Sequence, residues 1–202
     1  MKPVPALISL LLALALSQPG AAAQGPEFGV EWAYSPTFFN HYLYNYLDDD
    51  GSRVNEEGWD LRYVVNANVG AHISWYLSDC WRLGVHTGYC GVYEGRRMVP
   101  TTLRATWLPR GRRSDGMLLM LDAGAGWAVE AVRRPAILSM LGGGYRLALL
   151  GGMSLDFMLG ARLTIDSPMV RKATGTGYVP VEDIRNDQAM YIAVSAGISL
   201  NF

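Results

Sequence analysis

The chain has 202 residues, a formal net charge of −1 and 17% charged residues, against about 25% in a typical soluble domain. A charge so close to zero provides no steering toward nucleic acid, and only two lysines, Lys2 and Lys172, are present, too few flexible charges for an ordinary soluble surface. After the first residues no run reaches the ~18 apolar residues of a spanning helix, although hydrophobic residues make up 50% of the chain.

The chain begins with Lys2, an apolar run from Ala6 to Leu16 and three small residues, Ala21-Ala22-Ala23. This pattern predicts a secretory signal peptide over 1–23, with no following Cys for a lipid anchor, and a single domain over 24–202. A first strand is expected from Glu27, with Phe28, Val30, Trp32 and Tyr34 on one row, continuing through FFNHYLYNYL. A polar loop, Asp48 to Gly58, comes next. The second strand, Trp59 to Trp75, sets Trp59, Leu61, Tyr63, Val65, Val69 and Ile73 against Asp60, Arg62, Asn66, Asn68, Gly70 and His72. After the short turn LSD, the third strand sets Trp81, Leu83, Val85, Tyr89 and Tyr93 against Arg82, His86, Gly88 and Glu94. The fourth, Val99 to Leu108, has Leu103, Ala105 and Trp107 against Arg104.

The turn PRGRRSDG leads to the fifth strand, Met117 to Val129, with Asp122, Gly124 and Gly126 on its polar row. The sixth, Ile137 to Leu149, has Gly142, Gly144 and Arg146 there, and the seventh, around Leu155 to Leu163, has Asp156, Gly160 and Arg162. A long polar segment, 166–187, precedes the last strand. In that strand Met190, Ile192, Val194, Ala196, Ile198, Leu200 and Phe202 form one row, and Tyr191, Ala193, Ser195, Gly197, Ser199 and Asn201 the other. A period of two is that of a β-strand, and strands of this length exceed the ~5–6 residues of an ordinary one. Cys80 and Cys90 lie ten residues apart on one predicted strand, about 33 Å at full extension, so they are read as free thiols.

Eight alternating segments with both ends on one side predict an all-β fold, a closed antiparallel eight-stranded transmembrane barrel. A soluble barrel would place its apolar row inside. Here the polar row is rich in Gly with isolated Arg and Asp, and lacks the Lys and Glu of a solvated face. The apolar row has aromatic residues near the strand ends, as an interface girdle requires: Phe28, Trp75, Trp81, Trp107 and Phe202 toward one end, Tyr34, Trp59, Tyr93 and Trp127 toward the other.

SAGISLNF, with Ser195, Gly197, Leu200 and the terminal Phe202, resembles the C-terminal insertion signal of bacterial outer-membrane barrels. With the eight-strand pattern, the chain resembles the small outer-membrane β-barrel domain family. The resemblance implies location in the outer membrane and capture by the barrel-assembly machinery; it does not imply a reaction. In that orientation both termini and the turns Leu77–Cys80, Pro109–Gly116 and Leu150–Gly152 are periplasmic. The extracellular loops are Asn45–Gly58, Glu94–Met98, Ala131–Pro135 and Asp166–Asp187.

The polar row then forms the lumen. Glu31, Arg62, Arg82, Arg104, Asp122, Arg146, Asp156 and Arg162 are expected to face inward, since Arg facing lipid at the midplane costs about 2–4 kcal/mol. They are expected to pair as a structural charge network filling an interior just wide enough for side chains. A path for ions or solutes is the alternative, favoured by the many inward glycines. Outward Leu159→Arg is expected to impair insertion, and inward Gly160→Ser to be milder. His72 and Ser74 form an H-x-S pair that faintly resembles that of outer-membrane lipid A deacylases, but it lies toward the periplasmic end, away from the outer leaflet. His41 and His86 show no metal-ligand spacing, and no cofactor or metal is expected. Arg96-Arg97 and Arg133-Arg134 at two loop tips suit the phosphates of lipopolysaccharide. Asp48-Asp49-Asp50 lacks calcium-loop spacing and is read as a solvated loop. The expected role is a monomeric, non-enzymatic structural or surface-interaction protein in contact with outer-membrane lipids. A narrow porin-like channel is the alternative, and a lipid-modifying enzyme a more distant one.

Overall fold

The computed structural model describes residues 25–129, 134–172 and 177–202; the expected signal peptide at 1–23 lies outside the described residues, as does Arg133. The strands are β1 (Glu27–Tyr34), β2 (Thr37–Leu47), β3 (Arg53–Val64), β4 (Ala67–Tyr76), β5 (Trp81–Tyr93), β6 (Arg96–Trp107), β7 (Gly116–Ala128), β8 (Ala136–Ala148), β9 (Ser154–Asp166) and β10 (Ile184–Asn201). They form one antiparallel sheet in the order β1-β4-β5-β6-β7-β8-β9-β10-β2-β3, and a β1–β10 pairing closes it. The 18-residue β10 pairs with β1 near its C-terminal end and with β2 further up. In the same way β4 pairs with β1 and β3 with β2. β1–β2 and β3–β4 are therefore two long staves, each broken by a bend, and the fold is an eight-stranded barrel. Pro36, with no N–H for the ladder, marks the first bend. There the ladder is carried across by the Ser35 N–H donating to Asn66 O at 2.8 Å and the Val194 N–H donating to Pro36 O at 3.1 Å.

Alternation decides the two faces. Trp32, Val69, Leu103, Leu119, Leu141, Leu159, Val194 and Leu200 are exposed on the outside, while Arg82, Arg104, Asp122, Arg146, Asp156 and Ser199 are buried within. Two glycine pairs stand directly opposite each other on the inner face, Gly70 with Gly88 and Gly142 with Gly160. The walls approach so closely there that a Cβ on Gly160 would sit 2.9 Å from Leu141 O, and one on Gly142 2.6 Å from Leu159 O. At Gly142 and Gly160 any side chain would press on the backbone of the neighbouring strand, so the cost of Gly160→Ser is steric and not a matter of lumen polarity alone.

Three expectations of detail are corrected. The predicted polar loop Asp48–Gly58 contracts to 48–52, because Arg53 to Gly58 pairs with β2 as the start of β3. Likewise β6 starts at Arg96, which leaves a two-residue turn in which Gly95 takes φ 67°, a left-handed conformation open to glycine. Tyr93, predicted to face outward, instead stacks on Tyr191 with ring centroids 5.2 Å apart. A register shift between Gly91 and Tyr93 inserts a residue and turns the side chain inward, as a β-bulge does.

Beyond the last β9–β10 pairing, Asp166 with Ala189, β10 continues upward paired only with β2. With β3 these strands form a three-stranded lobe rising past the rest of the rim, and the second edge of β3 has no strand partner among the described residues. The segment between β9 and β10 folds onto this lobe. Arg171 bridges to Tyr178, and Val170 and Val179 join Tyr46 and Ile184 in a small core.

Candidate functional site

The lumen is built in layers. At the end holding the termini, Arg146 on β8 faces Asp156 on β9 directly in register. Its Nε and Nη2 donate to the two Asp156 oxygens, each at 2.7 Å. Arg82 donates from Nη2 to the same carboxylate at 3.0 Å and from Nη1 to Glu27 and Asn201. Tyr76 joins the group, accepting from Arg146 Nη1 at 2.7 Å and donating to Glu27 at 2.7 Å. Asn201 closes the floor by donating from Nδ2 to Asp156 at 3.2 Å and to Ser154 Oγ at 3.0 Å. Leu108, Leu118, Met120 and Met158 pack beside these groups.

One level higher, Arg104 on β6 faces Asp122 on β7 in register. It donates to Asp122 at 2.7 and 2.9 Å and to Glu31 at 2.6 and 3.3 Å. His86 Nδ1 lies 3.7 Å from Glu31, and the His86 ring stacks on His72 with centroids 4.4 Å apart. Above these groups is a cavity of about 80 Å³ bordered by Glu31, Arg104, Asp122, Arg162 and Ser195, room for several waters. The loop end above the cavity is filled by apolar side chains, including Val92, Met98, Leu138 and Tyr191, with Tyr42 and Tyr93 against them. Charged groups at one end and apolar groups at the other thus occupy the interior.

Six of the eight residues expected in the lumen network, Glu31, Arg82, Arg104, Asp122, Arg146 and Asp156, come together as ion pairs in these two layers. Arg162 also faces inward, but its Nη2 donates to Cys90 Sγ at 3.0 Å and, among the described residues, to no carboxylate. Arg62 stands apart: it is exposed on β3, whose second edge has no strand partner among the described residues, and pairs with Glu94. Arg96 is not presented to lipid phosphates either. It points into the mouth and holds Asp166 at 2.8 and 3.2 Å. Arg97 and Arg134 are exposed. Ser195 and Gly197 face the interior, and Leu200 and Phe202 face outward. Cys80 and Cys90 are both free. His72 and Ser74 are both buried, yet the His72 ring bonds to Asn201 at 3.0 Å. Asp48-Asp49-Asp50 forms a tight turn held by its own side chains, and Lys172 reaches Asp49 at 2.5 Å.

Sequence reasoning missed Glu27, Tyr76, Asn201 and the meeting of Glu31, His72 and His86. Glu31, His72, His86 and Asn201 lie on predicted inward rows, while Glu27 and Tyr76 fall at or just past predicted strand ends, and their association depends on strand register, which no local spacing reveals.

No family profile matches the chain, and no curated sequence matches it. Among solved structures it is similar to the outer membrane protein OprG from Pseudomonas aeruginosa, at 10% identity and a TM-score of 0.49, covering 89% of this chain and 97% of that one. It is also similar to Neisserial surface protein A, at 12% identity and 0.44, covering 89% and 100%. A third similar structure is the outer membrane protein AlkL in lipid bilayers, at 12% and 0.45, covering 92% and 95%. At these scores the fold assignment rests on the chain's own ladder of paired strands. An apolar exterior, a charged interior and a closed sheet are the arrangement of a barrel that spans a membrane.

Proposed function

We propose that the chain is an integral outer-membrane barrel, monomeric and non-enzymatic, whose lumen does not conduct and whose working surface is the loop end. The observation that supports this reading most is the filling of the interior at two levels, by the Arg82–Arg146–Asp156 group below and the Met98–Leu138–Tyr191 group above. Side chains so interlocked act as structure, and an eight-stranded barrel has little interior space beyond them. The three-stranded lobe of β2, β3 and upper β10 then gives the protein a built platform outside the membrane. Arg97 and Arg134, exposed near the same end, suit lipopolysaccharide phosphates. Insertion through the barrel-assembly machinery, guided by Ser195, Gly197, Leu200 and Phe202, belongs to the same reading.

The orientation is tested by labelling an Asp50→Cys variant with a membrane-impermeant maleimide on intact cells. Labelling at that position, with Cys80 at the other end protected until the outer membrane is opened, supports a loop end at the cell surface. The reverse pattern overturns it. The cavity at Arg162 favours a narrow channel as the second reading, and conductance separates the two.

A further inference from the structure

We propose that Glu31, His72 and His86 form a binding site inside the barrel for a borderline divalent transition ion such as Zn²⁺. One donor atom from each of the three lies within 4.8 Å of the others. They come from β1, β4 and β5, and the barrel wall brings them together: His72 and His86 are directly opposite in register, and Glu31 faces Gly70 one step away on β4. A tetrahedral ion holds such donors at about 2.0–2.1 Å, so the two stacked rings must turn their nitrogens toward one another to close the site.

The second observation concerns the His72 tautomer. The Asn201 carboxamide is fixed by its neighbours, since its Oδ1 accepts from Arg82 Nη1 at 3.2 Å and its Nδ2 donates to Asp156 at 3.2 Å. Its oxygen therefore faces the His72 ring, and His72 Nε2, 3.0 Å away, must be the protonated nitrogen that donates to it. That leaves Nδ1 with its lone pair. His72 is only 5% exposed, and Nδ1 has no hydrogen-bond partner. A buried acceptor left unsatisfied is costly, and a metal ion satisfies it. Metal-binding imidazoles commonly use their other N–H in this way, bonded to an oxygen that sets tautomer and ring orientation.

The backbone leaves room for both rings. A Cβ on Gly29 would collide with the His72 ring, and one on Gly84 would lie 3.2 Å from His86 Nε2. Glu31 already accepts from Arg104, but an ionised carboxylate offers about four lone-pair sites, enough for a guanidinium and an ion. The adjoining cavity supplies space for a water as fourth ligand. Two imidazoles and one carboxylate suit Zn²⁺ and its neighbours, whereas Ca²⁺ and Mg²⁺ require an all-oxygen shell.

The site is tested by refolding the mature barrel in detergent with Zn²⁺, removing excess with a chelator and gel filtration, and measuring zinc in the folded fraction. One zinc per folded wild-type barrel is expected. Retained zinc should fall about tenfold or more in Glu31→Gln and in His86→Gln, and should be unchanged in His41→Gln, whose histidine lies outside the cluster on β2. Folded wild type without zinc, or folded variants that keep it in full, would overturn the proposal. If the variants do not fold, wild type refolded with Co²⁺ decides the matter. An intense visible absorption of tetrahedral cobalt supports the site, and its absence contradicts it.

Discussion

Arg146 and Asp156 stand opposite each other on β8 and β9 and share a two-point ion pair, both contacts at 2.7 Å, with side-chain exposures of 1% and 0%. Neither charge has water to fall back on. Each is held instead by further protein groups, Tyr76 for the arginine and Arg82 and Asn201 for the carboxylate.

Removing one partner of such a pair leaves a buried charge uncompensated. Arg146→Ala is expected to destabilise the barrel by about 3–5 kcal/mol, read as a shift of the urea unfolding transition in micelles. A loss below about 1 kcal/mol, the range of exposed pairs, would mean that the floor of the lumen is wet and the pair weak.

The two faces of one strand respond differently in kind. Leu159→Arg puts a charge on the lipid face, at about 2–4 kcal/mol near the midplane, and is expected to block insertion into vesicles. Gly160→Ser is expected to cost less, and for a steric reason, with Cβ driven to 2.9 Å from Leu141 O. Gly160→Ala should therefore cost as much as Gly160→Ser, about 1–3 kcal/mol each. A serine clearly better tolerated than alanine would point to lumen polarity as the constraint.

Strand number and facing were legible from alternation because a buried charge and a lipid-facing leucine cannot exchange places without large cost. Arg82, Arg104, Asp122, Arg146 and Asp156 were assigned inward on that ground alone. The misread features arise where alternation loses its meaning. Along β3, whose second edge has no strand partner among the described residues, exposure no longer separates two faces, so Arg53 to Gly58 reads as a loop and Arg62 as a lumen residue. At Tyr93 a bulge reverses parity without any change in composition. The joining of Glu31, His72 and His86 depends on register, which arises from the closure of the whole sheet.

Burial in the lobe, together with Tyr42 and the carboxylates of Asp166, Glu56 and Asp187, pushes the Tyr44 hydroxyl up to about 12, against about 10 in an unfolded chain. The folded lobe thus favours the neutral phenol. Its stabilising contribution is complete below pH 10 and is lost as pH rises toward 12. Tyrosinate absorbance should rise late for Tyr44, and the lobe should loosen only within that window. Replacement by Phe should remove that late fraction. An unchanged titration curve in Tyr44→Phe would contradict the assignment.

Phe202 is tied to Phe28 by reciprocal backbone bonds of 2.8 and 2.9 Å, while its ring is 57% exposed on the outer face. As a packing element its loss should cost about 1–3 kcal/mol, the scale of one large apolar side chain. If it is also the residue read during insertion, deletion should lower membrane-inserted protein in cells more than refolding yield in vitro. Parallel losses in both would reduce it to a packing residue.

The closed lumen is tested most directly by single-molecule conductance of the refolded barrel in planar lipid bilayers. The interlocked Arg82–Arg146–Asp156 floor and the Met98–Leu138–Tyr191 ceiling predict bilayers that contain inserted protein and show no stable conductance steps. Reproducible steps, enlarged when Tyr191 is replaced by Ala, would show that ions pass through the barrel and contradict the account.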